Sequence, residues 1–338
     1  MDIDWLSDES HVLLNPRMPA EERAQLESYV IDLPGHIFLA TSGTTGALKL
    51  TALSKQAMLA SAAAVNRHLQ STADDVWLGV LPTFHVGGLG IYARAFLSGA
   101  RIVGEWSDDV TLASLVPAQV SDLVRANAKP PRSLRAIVVG GGALSEDLYR
   151  ESIALGWPLL PSYGMTETCS QVATALPGST ELRLLDHADA RVEVDGRLAF
   201  RGTSLLTGYA TAHGFIDPKS DGWFITEDLG EVEGRVLRVL GRRGDFVKIG
   251  GESVDLARLD AIVASVAGSH AAIAAVPDER LGHVIHLYID ETATEAVAAE
   301  FNGRVHPFER ARAVHRVAEI PRSPLGKLLR NELLKLIR

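Results

Sequence analysis

A cluster of glycine, serine and threonine residues near the N-terminus ends in a lysine, a combination suited to binding phosphate. The segment reads Thr41-Ser-Gly-Thr-Thr-Gly-Ala-Leu-Lys49. Glycines allow close approach to an anion, and consecutive N–H groups in a turn form an anion-binding nest. The lysine follows Gly46 by three residues, whereas a Walker A loop places it directly after glycine. The spacing therefore disfavours a P-loop NTPase and leaves open a polar turn between a strand and a helix.

A second segment, Ser162–Thr168, combines an aromatic ring, a glycine, hydroxyls and a carboxylate within seven residues. Tyr163 is suited to stacking on a base, and Thr166 is suited to donating a hydrogen bond to a phosphate. Glu167 has the hard oxygen ligands that Mg²⁺ prefers. The alternative is an ordinary helix start, where Thr and Glu are also common.

Short apolar runs, each followed by a polar or glycine-rich turn, are the elements that must position these groups. Strands are predicted at His36–Thr41, Val76–Leu81 and Leu134–Val139. The turns that follow them are Thr41–Lys49, Phe84–Gly88 and Gly140–Gly142. Helices are predicted near Ala20–Val30, at Ser54–Leu69 with Ser54 as N-cap, and after Ser145, which is the candidate N-cap of that helix. Strands alternating with helices predict an open α/β sheet, in which ligands bind beyond the carboxyl ends of strands.

The pattern changes after about residue 185, where short strands and glycine turns replace the helices. Strands are expected at Arg191–Phe200, Trp223–Glu231, Val236–Leu240, Ala271–Val276 and Val284–Ile289, and helices at Val254–Val266 and Asn331–Ile337. The predicted fold is a large α/β N-terminal domain with a β-rich subdomain, followed by a small α+β C-terminal domain. The predicted limits are 1–241 for the first domain, with the β-rich part at about 186–241, then a hinge at 242–245 and the second domain at 246–338.

Composition excludes several classes of protein. The net charge is -9 and no basic stripe is present, so a nucleic-acid partner is not expected. Cys169 is the single cysteine, which rules out an intrachain disulfide and fits a reducing compartment. The acidic N-terminus predicts no signal peptide, and no apolar run reaches the roughly 18 residues of a membrane span. A cytoplasmic location is therefore expected.

Six segments, in order, resemble motifs of the adenylate-forming superfamily, which contains acyl-CoA synthetases, peptide-synthetase adenylation domains and luciferases. The resemblance extends over roughly residues 36–338. The six segments are Thr41–Lys49, Gly140–Leu144, Tyr163–Glu167, Gly222–Gly230, Gly241–Gly251 and Pro321–Lys327.

The resemblance implies a two-step reaction in which a carboxylate attacks ATP to give an acyl-adenylate, and coenzyme A then displaces AMP. It implies Glu167 as the Mg²⁺ ligand, and Lys327 as the catalytic lysine between the substrate carboxylate and the α-phosphate. The small domain rotates between the two steps about Gly244, and Gly250 and Gly251 then lie on the coenzyme A side. The implied ATP-binding residues are Thr41, Ser42, Gly43, Thr44, Thr45, Gly46, Lys49, Gly140, Gly141, Gly142, Ser162, Tyr163, Gly164, Met165, Thr166, Asp228 and Arg242.

Three of these roles have plain structural alternatives, as does the acyl-pocket role that the resemblance implies for His85, and the residues alone leave them open. Lys327 lies in a basic tail, where a solvated lysine is common. Asp228 is compatible with a turn, Arg242 with a surface ion pair and His85 with a buried structural histidine.

Two segments, Thr83–Arg101 and Ser162–Gln171, resemble the o-succinylbenzoate–CoA ligases of menaquinone biosynthesis within this superfamily. That acid has two carboxylates, and Arg94 is the candidate for the one that does not react, because guanidinium binds carboxylate bidentately. The alternative for Arg94 is a structural ion pair. Ser170 and Gln171 are expected to donate hydrogen bonds to the acid's oxygens. The predicted substrate pocket consists of His85, Gly88, Arg94, Ser170 and Gln171.

The chain differs from this pattern in two respects. Gly87 stands where relatives often have serine, and only 40 residues precede the phosphate segment, against well over a hundred in relatives. A shortened domain exposes a sheet edge, which a homodimer would cover. The alternatives are another aryl or short-chain acid–CoA ligase, a stand-alone adenylating enzyme, or a nucleotide-binding relative without activity.

Overall fold

The computed structural model describes residues 3–42, 48–250, 252–294, 296–323, 326 and 328–336. It divides into two compact units, one of residues 1–226 and 231–238, the other of residues 227–230 and 239–338. The domain limits given above stay a prediction. Of the helices in the described ranges, none is both long enough and apolar enough to cross a bilayer.

The first unit contains two sheets and five α-helices among its described residues. The strands are β1 (His11–Leu13), β2 (His36–Ser42), β3 (Leu48–Ser54), β4 (Val76–Leu78), β5 (Arg101–Val103), β6 (Leu112–Leu115), β7 (Ala136–Val139), β8 (Leu159–Met165), β9 (Ser170–Thr174), β10 (Leu182–Leu184), β11 (Ala188–Val192), β12 (Arg197–Gly202), β13 (Gly208–Thr211) and β14 (Gly214–Ile216). The helices are α1 (Ala20–Glu27), α2 (Lys55–Leu69), α3 (Val86–Ser98), α4 (Pro117–Arg125) and α5 (Glu146–Ala154).

Two long strands, β15 (Phe224–Glu233) and β16 (Val236–Arg242), contribute residues to both units. The larger sheet has the order β11-β12-β15-β16-β10-β9-β8-β7-β6-β4-β5, and the smaller one has the order β1-β2-β3-β13-β14. Strands β5, β4, β6, β7 and β8 are parallel, and from β8 to β9 the larger sheet becomes antiparallel. The predicted α/β region is thus joined to a β-rich part by the segment that contains Glu167.

Helix α2 begins where the sequence places its cap. Ser54 has extended backbone dihedrals, and its hydroxyl accepts a hydrogen bond from the N–H of Ala57. Ser145 caps α5 in the same way by accepting from Leu148. Both caps satisfy N–H groups that the first turn of a helix leaves without partners.

The phosphate segment joins two strands, not a strand and a helix. Strands β2 and β3 are antiparallel, with Thr41 paired to Lys49 and Ser42 to Leu48. The polar turn expected between a strand and a helix is therefore the loop of a β-hairpin, and the helix starts only after β3. Strand β3 lies centrally in the smaller sheet, where Leu50, Thr51, Ala52 and Leu53 are buried.

The second unit is a small α+β structure around its own core. Its strands are β17 (Phe246–Ile249), β18 (Glu252–Asp255), β19 (Ala271–Asp278), β20 (Gly282–Ile289) and β21 (Ala311–Arg316), and its helices are α6 (Leu256–Ala267), α7 (Ala296–Arg304) and α8 (Arg330–Lys335). The sheet order is β18-β17-β20-β19, with β21 paired to β20. Leu259, Ile273, Leu287 and Phe301 are buried in the core between helices and sheet. The predicted fold class is confirmed.

Candidate active site

The described part of the phosphate segment consists of its two strand ends. The Oγ1 atoms of Thr41 and Thr51 lie 2.9 Å apart, and Lys49 stands opposite Thr41 across the hairpin. The predicted ligands Gly43, Thr44, Thr45 and Gly46 lie outside the described residues, as does the side chain of Ser42. The hairpin pairing fixes where this loop begins and ends.

Glu167 lies on a short 3₁₀ helix, Thr166–Thr168, that follows β8. Its Oε1 atom accepts a hydrogen bond of 2.8 Å from the hydroxyl of Tyr209 on β13. The ring of the same tyrosine lies under the ammonium group of Lys49, whose Nζ is 3.3 Å from the ring centroid. Burial and the negative charge of Glu167 raise the pKa of Tyr209 far above its ordinary value, so the hydroxyl keeps its proton and donates.

The environment of Glu167 suits magnesium better than a metal held by the protein alone. Across the described ranges, no three His, Cys, Asp or Glu side chains come together as a metal-binding group. Mg²⁺ is usually bound by one or two carboxylates, with water and substrate phosphates as the remaining ligands. The hydrogen bond from Tyr209 engages Oε1, and no bond to Oε2 is seen from the residues that the structure describes, so this oxygen can accept a cation.

Close packing requires some of the predicted ATP-side glycines. A Cβ on Gly164 would lie 2.0 Å from the carbonyl oxygen of Ser170, which is across the β8–β9 hairpin. A Cβ on Gly140 would lie 2.9 Å from Oγ of Ser162, and that hydroxyl donates to the carbonyl of Val139. Gly141 has a φ of +78°, in the left-handed region. These glycines therefore bring the ends of β7 and β8 together.

Two aromatic or polar positions of the motif also have local partners. The ring of Tyr163 lies 5.7 Å from that of Phe200, centroid to centroid, which fixes the tyrosine against the β-rich part. Thr166 accepts the N–H of Cys169 at its carbonyl, and the N–H of Met165 donates to the hydroxyl of Thr168. The motif is therefore a tightly bonded turn at the point where the larger sheet becomes antiparallel.

Arg94 on α3 is the most unusual charged residue of the first unit. Its side chain is buried, with 2% of the residue exposed. The guanidinium donates 3.0 Å hydrogen bonds to Ser170 Oγ and Gln171 Oε1 on β9, and one of 3.1 Å to Ser114 Oγ on β6. None of the ion pairs found among the residues that the structure describes includes Arg94, and burial lowers its pKa to about 10. The site is therefore a buried cation surrounded by neutral acceptors.

Ser170 and Gln171 accept hydrogen bonds from Arg94 through Oγ and Oε1. Donation by these two residues to the acid stays a prediction. The amide nitrogen of Gln171 donates to Thr174 Oγ1 at 2.6 Å, which fixes the orientation of the amide. Both residues thus orient the guanidinium, and no described carboxylate forms the structural ion pair considered for Arg94.

His85 precedes α3 at its N-cap position, with its ring 4.6 Å from that of Phe84. Burial lowers the pKa of His85, so the imidazole is neutral at pH 7. Its buried Nε2 has no hydrogen-bond partner within the described part of the chain. Gly88 has a structural requirement, because a Cβ there would lie 2.2 Å from the carbonyl oxygen of Pro82. The glycine therefore lets α3 start close to this loop.

The second unit contains the remaining predicted residues. Arg242 Nε lies 3.7 Å from Asp228 Oδ1, so these two predicted ATP-binding residues form an ion pair. Gly244 lies in a 3₁₀ helix, Arg243–Asp245, and Gly250 has a φ of +60°. Gly251 and the predicted catalytic Lys327 lie outside the described residues.

Sequence reasoning missed three residues of the first unit that contact the predicted site. Tyr209 contacts Glu167 and Lys49, and Ser114 accepts from Arg94. The ring of Trp77 lies 5.5 Å from Arg94 Cζ, and its buried indole N–H has no acceptor among the described residues. No sequence signal identifies them, because each is brought to the site by strand pairing between distant segments.

Comparison with known proteins is consistent with this geometry. The family model described as AMP-binding enzyme matches residues 37–210, slightly more than half of the chain. The chain belongs to the AMP-binding enzyme family. A 2-succinylbenzoate–CoA ligase of Bacillus licheniformis is 31% identical over 344 residues, which is 91% of this chain and 71% of the relative. The corresponding protein of Staphylococcus epidermidis is 30% identical over 87% of this chain and 68% of its own length.

Solved structures of similar proteins have the same fold. The o-succinylbenzoate CoA synthetase of Bacillus subtilis in complex with its acyl-adenylate intermediate has a TM-score of 0.77 and 28% identity, and the match covers 88% of this chain and 68% of that one. The same synthetase in complex with ATP and magnesium ion has a TM-score of 0.75 and 27% identity, with 90% and 72% covered. The predicted relationship to adenylate-forming enzymes is confirmed.

Proposed function

We propose that this chain is an ATP-dependent, AMP-forming carboxylate–CoA ligase and that its acid is 2-succinylbenzoate. Family membership supports the reaction class. The named relatives, and the Bacillus subtilis synthetase that holds its acyl-adenylate, support this acid. The activity places the enzyme in menaquinone biosynthesis.

The observation in this chain that best supports the acid is the environment of Arg94. A buried guanidinium without a carboxylate partner is costly, because desolvation is not offset by an opposite charge. A second carboxylate on the substrate would supply that charge, and 2-succinylbenzoate has two. Acids with a single carboxylate would leave the cation uncompensated, so Arg94 favours a diacid.

In the first half-reaction, an oxygen of the reacting carboxylate attacks the α-phosphorus of ATP. The new O–P bond forms as the bond to pyrophosphate breaks, which gives the acyl-adenylate. In the second, the sulfur of coenzyme A attacks the acyl carbon, the C–O bond to AMP breaks and the thiol proton leaves. Such phosphoryl chemistry depends on positioning and charge neutralisation more than on covalent help from the protein.

The residues of this chain divide that work. Lys49 and the hydroxyls of the hairpin loop bind the β- and γ-phosphates, while Tyr163 and Gly140–Gly142 border the adenine. Asp228 accepts hydrogen bonds from the ribose hydroxyls, and Arg242 supports it. Glu167 would hold Mg²⁺, which would neutralise charge on the phosphates. Neutral His85 lines the acyl pocket, and Lys327 stabilises the negative charge that gathers between the carboxylate and the α-phosphate.

An acid panel tests the proposal. Pyrophosphate release and thioester formation are measured with 2-succinylbenzoate, benzoate, acetate and a long-chain acid, each with ATP, Mg²⁺ and coenzyme A. We expect turnover with 2-succinylbenzoate to exceed the others by at least about tenfold, since an unpaired buried charge costs several kcal/mol. Preference for another acid would refute the named substrate and keep the class, while pyrophosphate release without thioester would indicate a stand-alone adenylating enzyme. ATP binding without pyrophosphate release would refute the enzyme class.

Lys327→Ala separates the two half-reactions. We expect loss of adenylation by about 10²–10³-fold, because the lysine stabilises charge that develops in the transition state of that step. Thioester formation from supplied acyl-adenylate should be largely kept. ATP–pyrophosphate exchange measures the first step and thioester yield the second, and normal exchange in the variant would exclude this role for Lys327.

The finer predictions on location and assembly belong to the same proposal. ATP and coenzyme A are substrates available in the cytoplasm, and the single cysteine, Cys169, is buried and unpaired, as expected in a reducing compartment. A homodimer that covers a sheet edge is proposed on the ground that exposed edges are prone to pairing. Sedimentation velocity would test the assembly.

A further inference from the structure

Tyr209 contacts two residues of the predicted phosphate site with different parts of one side chain. Its hydroxyl donates to Glu167 Oε1 at 2.8 Å, and its ring lies 3.3 Å from Lys49 Nζ. Glu167 and Lys49 are the carboxylate and the cation assigned to the metal and the phosphates.

Backbone pairing sets the position of this tyrosine. Strand β13 is antiparallel to β3, and Tyr209 stands opposite Thr51. Lys49 is two residues before Thr51 on the same face of β3, which makes Lys49 and Tyr209 diagonal neighbours within reach of long side chains. The ring is therefore placed under the ammonium group by strand register.

The segment before Tyr209 is attached to both partners. The N–H of Leu206 donates to the carbonyl of Glu167 at 2.8 Å, and the N–H of Thr207 donates to that of Ala52 on β3 at 2.8 Å. Gly208 allows close approach of β14, because a Cβ there would lie 2.5 Å from the ring of Phe215. Residues 206–209 thus fasten the 3₁₀ helix of Glu167 to the hairpin of Lys49.

We propose that Tyr209 is a positioning residue for the ATP–magnesium complex, with its hydroxyl orienting the Glu167 carboxylate and its ring orienting the Lys49 ammonium. The inference rests on the proposed function, because it presumes that ATP and Mg²⁺ bind beside these two residues. A hydrogen bond to a charged group and a cation–π contact are each strong enough to change severalfold the fraction of time that a side chain spends in its binding conformation. Fixing both groups before binding reduces the ordering that the ligand must otherwise cause.

Two substitutions separate the two contacts. Tyr209→Phe removes the hydroxyl and keeps the ring, so Glu167 loses its donor while Lys49 keeps its contact. Tyr209→Leu removes both. Tyr149→Phe is the matched control. Tyr149 is a half-buried tyrosine on α5, away from the hairpin, and its hydroxyl donates only a long hydrogen bond of 3.4 Å to the carbonyl of Ser179.

Calorimetry with ATP, with and without Mg²⁺, and with AMP reads out the contacts without any acid. We expect Tyr209→Phe to weaken binding of magnesium–ATP about tenfold, which is the order of one hydrogen bond to a charged group. Binding of AMP, which has no β- or γ-phosphate, should stay within about twofold of wild type. Tyr209→Leu should also weaken metal-free ATP binding by about threefold or more through loss of the cation–π contact. Tyr149→Phe should match wild type for every ligand.

The outcomes separate this inference from the proposed function. Equal weakening of AMP and magnesium–ATP by Tyr209→Phe would indicate a general structural role and overturn the proposal, as would wild-type binding of magnesium–ATP by that variant. A third outcome is that Tyr209→Phe selectively weakens binding of magnesium–ATP while the wild-type chain ligates none of the acids in the panel. That result would support the role of Tyr209 and refute 2-succinylbenzoate as the substrate. A wild-type chain that binds no ATP would overturn both.

Discussion

Asp75 and Arg94 are both buried charged residues of the first unit, and the protein compensates only one of them. Asp75 accepts from Arg135 through both carboxylate oxygens, at 3.0 and 2.6 Å, and from the N–H of Thr72 and the hydroxyl of Thr111. Among the described residues, the guanidinium of Arg94 donates only to neutral oxygens. Because an uncompensated buried charge is costly, its retention indicates a partner that the described protein does not supply. Asp75 thus belongs to a structural ion pair, whereas Arg94 is the residue proposed to bind the second carboxylate.

The pKa values of the two residues follow the same contrast. Burial raises the pKa of a carboxyl, yet the hydrogen bonds from Arg135, Thr72 and Thr111 outweigh it and lower the pKa of Asp75 to about 2. For Arg94, burial is the sole cause of its shift, and the pKa falls to about 10. The charged form is thus favoured by its neighbours at Asp75 and disfavoured by its surroundings at Arg94.

Arg94→Met should give the largest effect. We expect kcat/KM for 2-succinylbenzoate to fall about 10²–10³-fold, because the charge that binds the second carboxylate is lost. The free energy of unfolding should change by less than about 1 kcal/mol, since relief of the buried charge offsets three lost hydrogen bonds. Pyrophosphate release and urea denaturation measure the two quantities. A loss of activity accompanied by an equal loss of stability would place Arg94 with the structural charges.

Asp75→Asn should produce the opposite pattern. We expect the free energy of unfolding to fall by about 3 kcal/mol, because Arg135 loses a buried anionic partner. The kcat/KM should stay within about twofold of wild type, since the hydrogen-bond partners described for the Asp75 carboxylate are Thr72, Thr111 and Arg135, none of which is assigned to the site. Urea denaturation and the same kinetic assay test this prediction. A kinetic defect with unchanged stability would contradict the purely structural role of Asp75.

The low pKa of Asp75 also predicts how stability depends on pH. Its folded pKa of about 2 is lower than the ordinary value near 4, so the stabilisation is complete above about pH 5 and is lost as the pH falls toward 2. The shift corresponds to about 2 kcal/mol. Denaturation curves at pH 5, 4 and 3 for wild type and Asp75→Asn should therefore converge as the pH falls. Parallel pH dependences would show that the carboxylate is not the cause.

Gln171→Glu should give the smallest effect by converting the Arg94 site toward the Asp75 arrangement. A carboxylate at this position can pair with the guanidinium and compete with the second carboxylate of the acid. We expect about a tenfold rise in KM for 2-succinylbenzoate, with KM for ATP unchanged. A tenfold change in binding corresponds to roughly 1.4 kcal/mol. Steady-state kinetics with each substrate varied measures the split. An unchanged KM for the acid would argue against Arg94 as its binding residue.

Local signals predicted many elements of this fold well. Ser54 and Ser145 were predicted as N-caps, and both accept the expected N–H. The strand predicted at Ala271–Val276 is the described β19, Ala271–Asp278. These features depend on residues within one turn or one short run, so neighbouring sequence contains the needed information.

Other elements could not be predicted from the sequence because tertiary packing determines their conformation. Helix α3 begins with glycines at positions 87, 88 and 90, which are poor helix formers, so its residues were interpreted only as a binding motif. Strand β3 was not recognised, and the phosphate segment was expected to lead into a helix. The pairing of β3 with both β2 and β13 stabilises it as a strand. Intrinsic propensity is weak compared with such tertiary pairing.

By itself the sequence determined the class of chemistry. Six ordered motifs resemble those of adenylate-forming enzymes, and each places residues suited to binding phosphate, metal or carboxylate within a short segment. Only the tertiary structure decided which groups share a partner. Arg94 on helix α3 donates to Ser114 and Ser170 on two different strands, and Tyr209 contacts both Glu167 and Lys49. The physical reason is the separation along the chain between the interacting residues. A motif specifies residue types and backbone turns locally, whereas compensation of a buried charge depends on which distant strands pair and in what register.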